Sequence, residues 1–105
     1  MSRQEILPRP MRLEEFSPHL NRTFVAECTP ADVQLRLVEA YPLKDRGGTD
    51  RPPFILIFHS DPMTFLLDGI YVLRAEGFDP ASIHIVLTGA APGAAPGHYY
   101  QAVFN

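Results

Sequence analysis

Apolar positions along this chain come in short bursts. Val33, Leu35 and Leu37 alternate with Gln34 and Arg36, the period of two that a half-buried strand requires. The phase then slips, since Val38 and Ala40 continue the apolar series on the other parity. A bulge near Leu37 and Val38, with two residues opposing one, accounts for the slip. Phe54 to His59 has apolar side chains on both parities, which places this strand centrally, buried on both faces or in a tightly curled sheet. Ser82 to Thr88 repeats the style, with Ile83, Ile85 and Leu87 on one face and His84, Val86 and Thr88 on the other. Thr23 to Glu27 is a short first strand, and Tyr99 to Phe104 closes the chain as the last.

Proline supplies the punctuation. The chain holds 11 prolines in 105 residues, about twice the usual ~5%, and their spacing suits short strands joined by turns. The segment after Asp61 reads two ways. Asp61 and Pro62 resemble an N-cap and first helical position, and Met63, Leu66, Leu67 and Ile70 recur at helical spacing. Against a long helix stand Gly69, costing ~1 kcal/mol in a helix interior, and the strand-forming cluster Ile70 to Leu73. The balance predicts one helical turn over Pro62 to Leu66, then a strand from Gly69 to Ala75. A further short helix is expected near Arg12 to Phe16. Lys44 to Arg51 reads as a hairpin connection, and Gly89 to Gly97 as an Ala/Pro/Gly tract too poor in side chains to anchor itself. The expected fold is all-β: about six antiparallel strands in a small barrel or two-layer sandwich over residues 12–105, with a flexible segment over residues 1–11.

Composition narrows the partners. With 46% hydrophobic residues and a net charge of −3, the chain is apolar enough to fold and too weakly charged to be disordered. A pI near 5.7 gives no cationic excess for phosphates, so no nucleic acid is expected. The longest apolar stretches, such as Phe54 to Phe58, fall far short of the ~20 residues that span a bilayer, so no membrane partner is expected either. Met1 to Arg12 has no apolar secretion core. The expected location is the cytoplasm, or outside by a route that needs no classical signal. A lone cysteine makes no internal disulfide.

Candidate chemistry is sparse. Cys28 with a distant histidine has the elements of a nucleophilic pair, but no local signature surrounds it, and an unreactive thiol at a strand end is the simpler reading. His59, Asp61 and His84 have the residue types of a metal site, yet their spacing specifies nothing. Gly47 and Gly48 lie near Lys44, Arg46 and Arg51 without the G-x-x-x-x-G-K-[ST] pattern of a phosphate loop. No catalytic residue, metal or cofactor is expected. The ending His98 to Asn105 is rich in aromatics, which predicts a strand integral to the core, with Tyr100, Val103 and Phe104 buried. Its alternative role is an exposed edge, Tyr99, Gln101 and Val103, that recruits a partner strand.

Several motifs in one order carry a resemblance. They are F-x-x-H-L-N-x-x-F at Phe16 to Phe24, F-x-L-x-F at Phe54 to Phe58, L-x-x-G-I-Y-x-L at Leu66 to Leu73, and G-H-Y-Y-Q-A-V-F-N at the end. Together they resemble an uncharacterised family of small bacterial domains that finish in Y-E-A-V-F-N, over about residues 11 to 105. Gln101 stands where that family often has Glu, Asp68 where Gln is common, and the Ala/Pro/Gly tract is longer. The resemblance implies a compact β domain in bacteria, associated with gene clusters for phage-tail-like or surface-fibre proteins. It brings no catalytic residues.

The expected function is a non-enzymatic structural or interaction module with a protein partner still to be identified. Thr23 to Glu27 or Val33 to Ala40 would make a homodimer if either lay at a sheet edge. The alternative is a ligand-binding barrel or enzyme, with a pocket near His59, His84 and Tyr71.

Overall fold

The structure, a computed structural model, describes residues 6–7, 9–44 and 52–105. A single helical turn, α1 (Leu13–Phe16), runs into a 3-10 turn (Ser17–His19) and is followed by six strands. These are β1 (Thr23–Ala26), β2 (Val33–Pro42), β3 (Phe54–Ser60), β4 (Gly69–Ala75), β5 (Phe78–Thr88) and β6 (His98–Phe104). They close into a barrel in the order β1-β2-β3-β6-β5-β4, with every neighbouring pair antiparallel. The sequence left barrel and sandwich open; the pairing of β1 with β4 at Val25↔Arg74 and Ala26↔Leu73 makes it a barrel.

The alternation of the strands fills its interior. Phe24, Ala26, Leu35, Leu37, Phe54, Leu56, Phe58, Leu73, Ile83, Ile85, Tyr100 and Ala102 are all buried. The expected slip in β2 is present as a register shift between Leu37 and Glu39 against β3. Central placement of β3 is also seen: it pairs along its whole length with β6, and even Ile55, on the outward parity, is 9% exposed.

Two three-stranded meanders, β1-β2-β3 and β4-β5-β6, make up the wall. The connection from β3 to β4 therefore crosses one end of the barrel, here called the loop end. At the other end α1 drives Phe16, fully buried, among Phe24, Phe54, Phe78 and Phe104, with ring centroids 5.2 to 6.5 Å away. The Glu15 carboxylate accepts the Arg12 backbone N–H (2.9 Å) and an Arg9 guanidinium N–H (2.7 Å), fixing the start of this turn. His19 joins the plug edge-on to Phe24 and Phe78, its buried Nδ1 without a hydrogen-bond partner among the described residues.

Several expectations change. Pro62 to Leu66 does not form a helical turn; one hydrogen bond, Thr64 N–H to Asp61 C=O (3.1 Å), closes a tight turn and the chain then runs irregularly to Gly69. Helical spacing of apolar residues misled because only Leu66 of that series turns inward. β5 begins at Phe78 rather than Ser82, since the register shift between Leu73 and Ala75 lets Pro80 sit in the strand where the ladder slips. Val103 is exposed, at 45%, because its parity places Tyr100 and Ala102 inward. Among the described residues β1, β2 and β6 each have a strand on both sides; Tyr99 and Gln101 are paired with both β3 and β5, Val103 with β3, and β1 and β2, expected to serve a homodimer if either lay at an edge, lie within the barrel wall. In the segment expected to be flexible, Ile6, Arg9 and Met11 touch the rest of the chain. Met11 is buried, Arg9 donates to the Asp79 carbonyl (3.0 Å), and Ser82 donates to the Ile6 carbonyl. Most of the Lys44 to Arg51 loop, residues 45–51, lies outside the described residues.

Candidate functional site at the loop end

The sequence nominated His59, His84 and Tyr71, and the barrel separates them. β6 lies between β3 and β5. His84 is exposed and sits opposite Ile70 of β4. His59 is half-buried, its ring against Tyr99 (4.9 Å) and its Nε2 2.8 Å from the Pro96 carbonyl. Tyr71 shares the inward parity of Leu73 on β4 and donates its hydroxyl to the Leu67 carbonyl (2.7 Å). Burial pushes the Tyr71 phenol above its usual pKa, with Cys28, Tyr100 and Asp68 adding to the shift, so it stays a protonated donor. Among the described residues no cluster of His, Cys, Asp and Glu has the makings of a metal site.

The histidine and tyrosines work on loops instead. His59 and Tyr99, whose hydroxyl donates to the Ala95 carbonyl (2.8 Å), hold the Ala/Pro/Gly tract. That tract was expected to lack anchors; its backbone carbonyls supply them. Gly97, with φ +136°, lets the tract approach closely, since a Cβ there would collide with the Ser60 carbonyl and the His59 ring.

A second set of bonds holds the β3–β4 loop. Tyr100 is fully buried, and its hydroxyl meets Ser60 Oγ (2.9 Å) and accepts the Leu66 backbone N–H (3.0 Å). Ser60 Oγ donates to the Thr64 carbonyl (3.0 Å), and His98 Nδ1 lies 2.8 Å from the same oxygen. The Asp68 carboxylate accepts the Leu87 backbone N–H (2.9 Å), tying the loop to β5. Buried, mutually satisfied polar groups of this kind favour one loop conformation, because every alternative leaves a desolvated donor or acceptor unpaired.

This fixed loop displays apolar side chains. Met63 is 93% exposed, Phe65 52%, Leu67 72% and the adjoining Ile70 66%. Beside them an open groove of about 550 Å³ runs between Glu27–Thr29 and Phe65–Val72. Its charged lining residue, Glu27, is paired with Arg74. The sequence has Met63, Leu66, Leu67 and Ile70 at helical spacing and predicts a helical turn over Pro62 to Leu66 and a strand from Gly69, but it does not single out Met63, Phe65, Leu67 and Ile70 as an exposed group.

The fold and site thus define a small antiparallel barrel with a filled interior and a clamped, apolar end loop. The chain belongs to the family described as Domain of unknown function (DUF6916), whose family model matches residues 11–104. No curated protein and no solved structure matches the chain. Leu66 to Leu73 and His98 to Phe104, two of the motifs behind the resemblance noted in the sequence, meet at this loop, where Tyr100 holds Leu66 and Tyr71 holds Leu67.

Proposed function

We propose that this domain is a non-enzymatic structural module that holds a protein partner through the loop end of its barrel. The observation that carries this reading is the exposure of Met63, Phe65, Leu67 and Ile70 on a loop pinned by the Tyr100, Ser60 and His98 hydrogen bonds. Scattered surface apolar residues are ordinary, but Phe65, Leu67 and Ile70 line one groove, and an apolar group gathered on a preorganised loop is what binding sites display. The ligand-carrying alternative has less support, since the inward side chains of the barrel, Phe58 and Tyr100 among them, are fully buried against one another as a core. An association with gene clusters for phage-tail-like or surface-fibre proteins, implied by the family resemblance, suits a small domain that works by docking.

The test is affinity capture from the native host with an N-terminally tagged chain, followed by mass spectrometry. A stoichiometric protein partner is expected with the natural sequence and is expected to disappear with Met63→Glu and with Leu67→Glu. Equal recovery of that partner by both variants, or recovery of the natural chain with only a metabolite, overturns the reading.

A further inference from the structure

The seam beside the apolar loop is incompletely zipped. β1 pairs with β4 at Val25↔Arg74 and Ala26↔Leu73, and the Glu27 N–H then donates to the Val72 carbonyl (2.9 Å). No further β1–β4 pair follows among the described residues; the Cys28 N–H, on the other flank, donates to the Asp32 carboxylate (3.2 Å) as the chain leaves β1. Along a strand, the backbone groups of alternate residues point to the same flank. Val72 faces β1, so Ile70 faces the same way, and its N–H and C=O have no partner among the described residues. On the opposite flank β5 pairs with β4 from Gly69 onward. One wall of the 550 Å³ groove is therefore an unpaired strand flank at Ile70, lined by the side chains of Phe65, Leu67 and Ile70.

Resting on the reading of this end as a protein-binding surface, we propose that the groove takes an extended peptide segment of a partner, which adds as a short strand beside Ile70. Area selects this occupant. Met63, Phe65, Leu67 and Ile70 together expose on the order of 500 Å², below the roughly 800 Å² per partner that a stable rigid-body interface buries. A second copy of this chain docking by these side chains alone is therefore under-supplied, whereas a strand gains main-chain hydrogen bonds as well as apolar contact. Charge refines it. The loop's exposed charged residues, Asp61 and Asp68, are both acidic, so the complementary segment is apolar at alternate positions and flanked by Lys or Arg. The same acidic pair opposes an anionic lipid surface, the other occupant that exposed Met and Phe side chains suit.

Random dodecapeptides displayed on phage, panned against the full chain, provide the probe. The expected selection is for peptides with apolar residues at every second position and a basic flank. Their synthetic versions should shift the Ile70 amide resonance and slow its hydrogen exchange. Ile70→Pro removes the groove-facing N–H without removing a β4–β5 bond, and is expected to weaken these peptides about tenfold or more. N-methylation of the peptide amide opposite Ile70 should do the same on the unaltered protein, which keeps the test independent of how the variant folds. No enrichment, peptides with helical spacing, affinity unchanged by both alterations, a dimer by light scattering that Leu67→Glu dissociates, or co-sedimentation with phosphatidylglycerol vesicles would each overturn the proposal. If Ile70→Pro still captures the host partner while Leu67→Glu does not, strand addition fails and the interaction reading stands; if Met63→Glu and Leu67→Glu both capture it as the natural chain does, that reading fails too.

Discussion

The two ends of this barrel solve the same problem in opposite ways. Each must close a ring of strands whose inward side chains would otherwise meet water. At the helical end α1 brings Phe16 into a nest of four other phenylalanines, and Phe54 stacks on Phe104 at 4.5 Å, so apolar surface is consumed. At the loop end Leu66 alone turns inward, held through its backbone by Tyr100, while its neighbours Phe65 and Leu67 face out. Closure by aromatic packing buries the side chain that does the closing. Closure by a few buried hydrogen bonds leaves Met63, Phe65 and Leu67 exposed. On the proposed reading, the division places stability at one end and recognition at the other.

Perturbations of the two ends should differ accordingly. Deleting Tyr99 to Asn105 removes the strand between β3 and β5 and opens the wall that both ends depend on, so cooperative thermal unfolding should be lost altogether. Phe16→Ala should cost about 3–5 kcal/mol in urea unfolding, the usual range for emptying a buried aromatic site. A cost near zero would mean that the plug is dispensable and the contrast false. Tyr100→Phe keeps the packing but strips the hydroxyl from Leu66 N–H and Ser60; a loss of about 1–3 kcal/mol is expected, with faster amide exchange at Leu66 than at Phe24. Met63→Glu should leave stability within about 0.5 kcal/mol and affect only capture of the partner. The smallest effect concerns Glu15. Burial opposes its ionisation, but the hydrogen bonds from Arg9 and the Arg12 backbone and the charges of both guanidinium groups outweigh it and hold the carboxyl below its ordinary pKa. A carboxyl depressed on folding adds stability that is present above its unfolded pKa and lost as pH falls through the folded one. Glu15→Gln should therefore be slightly less stable than the natural chain at neutral pH, where the ionised carboxylate contributes, and the difference should vanish in acid, which flattens the acid limb of its stability–pH curve. An identical acid limb would remove the ion pair from the account of this end.

Much of the wall was legible because period-two alternation is a local signal. Gly69 to Ala75 is a strand at the predicted bounds, and the slip after Leu37 is a bulge. The site was less legible. His59, His84 and Tyr71 were singled out for their chemistry, yet strand order and parity decide which side chains meet, and these put His84 opposite Ile70 and His59 against Tyr99. Val103 and Tyr100 are equally plausible core residues in sequence; only the register with β3, Ile55↔Val103 and Phe58↔Tyr100, assigns one outward and one inward.

By itself the amino-acid sequence determined an all-β domain, the number of strands and the place of the bulge, since each follows from alternation, proline spacing and propensity over a few residues. Tertiary structure alone decided closure into a barrel, the clamp on the β3–β4 loop and the unpaired flank at Ile70. Those features join residues far apart in the chain, such as Tyr100 with Leu66 and Glu27 with Val72. Which distant backbone groups pair, and which are left without a partner, is settled by how the strands pack around a shared core, and no local pattern encodes it.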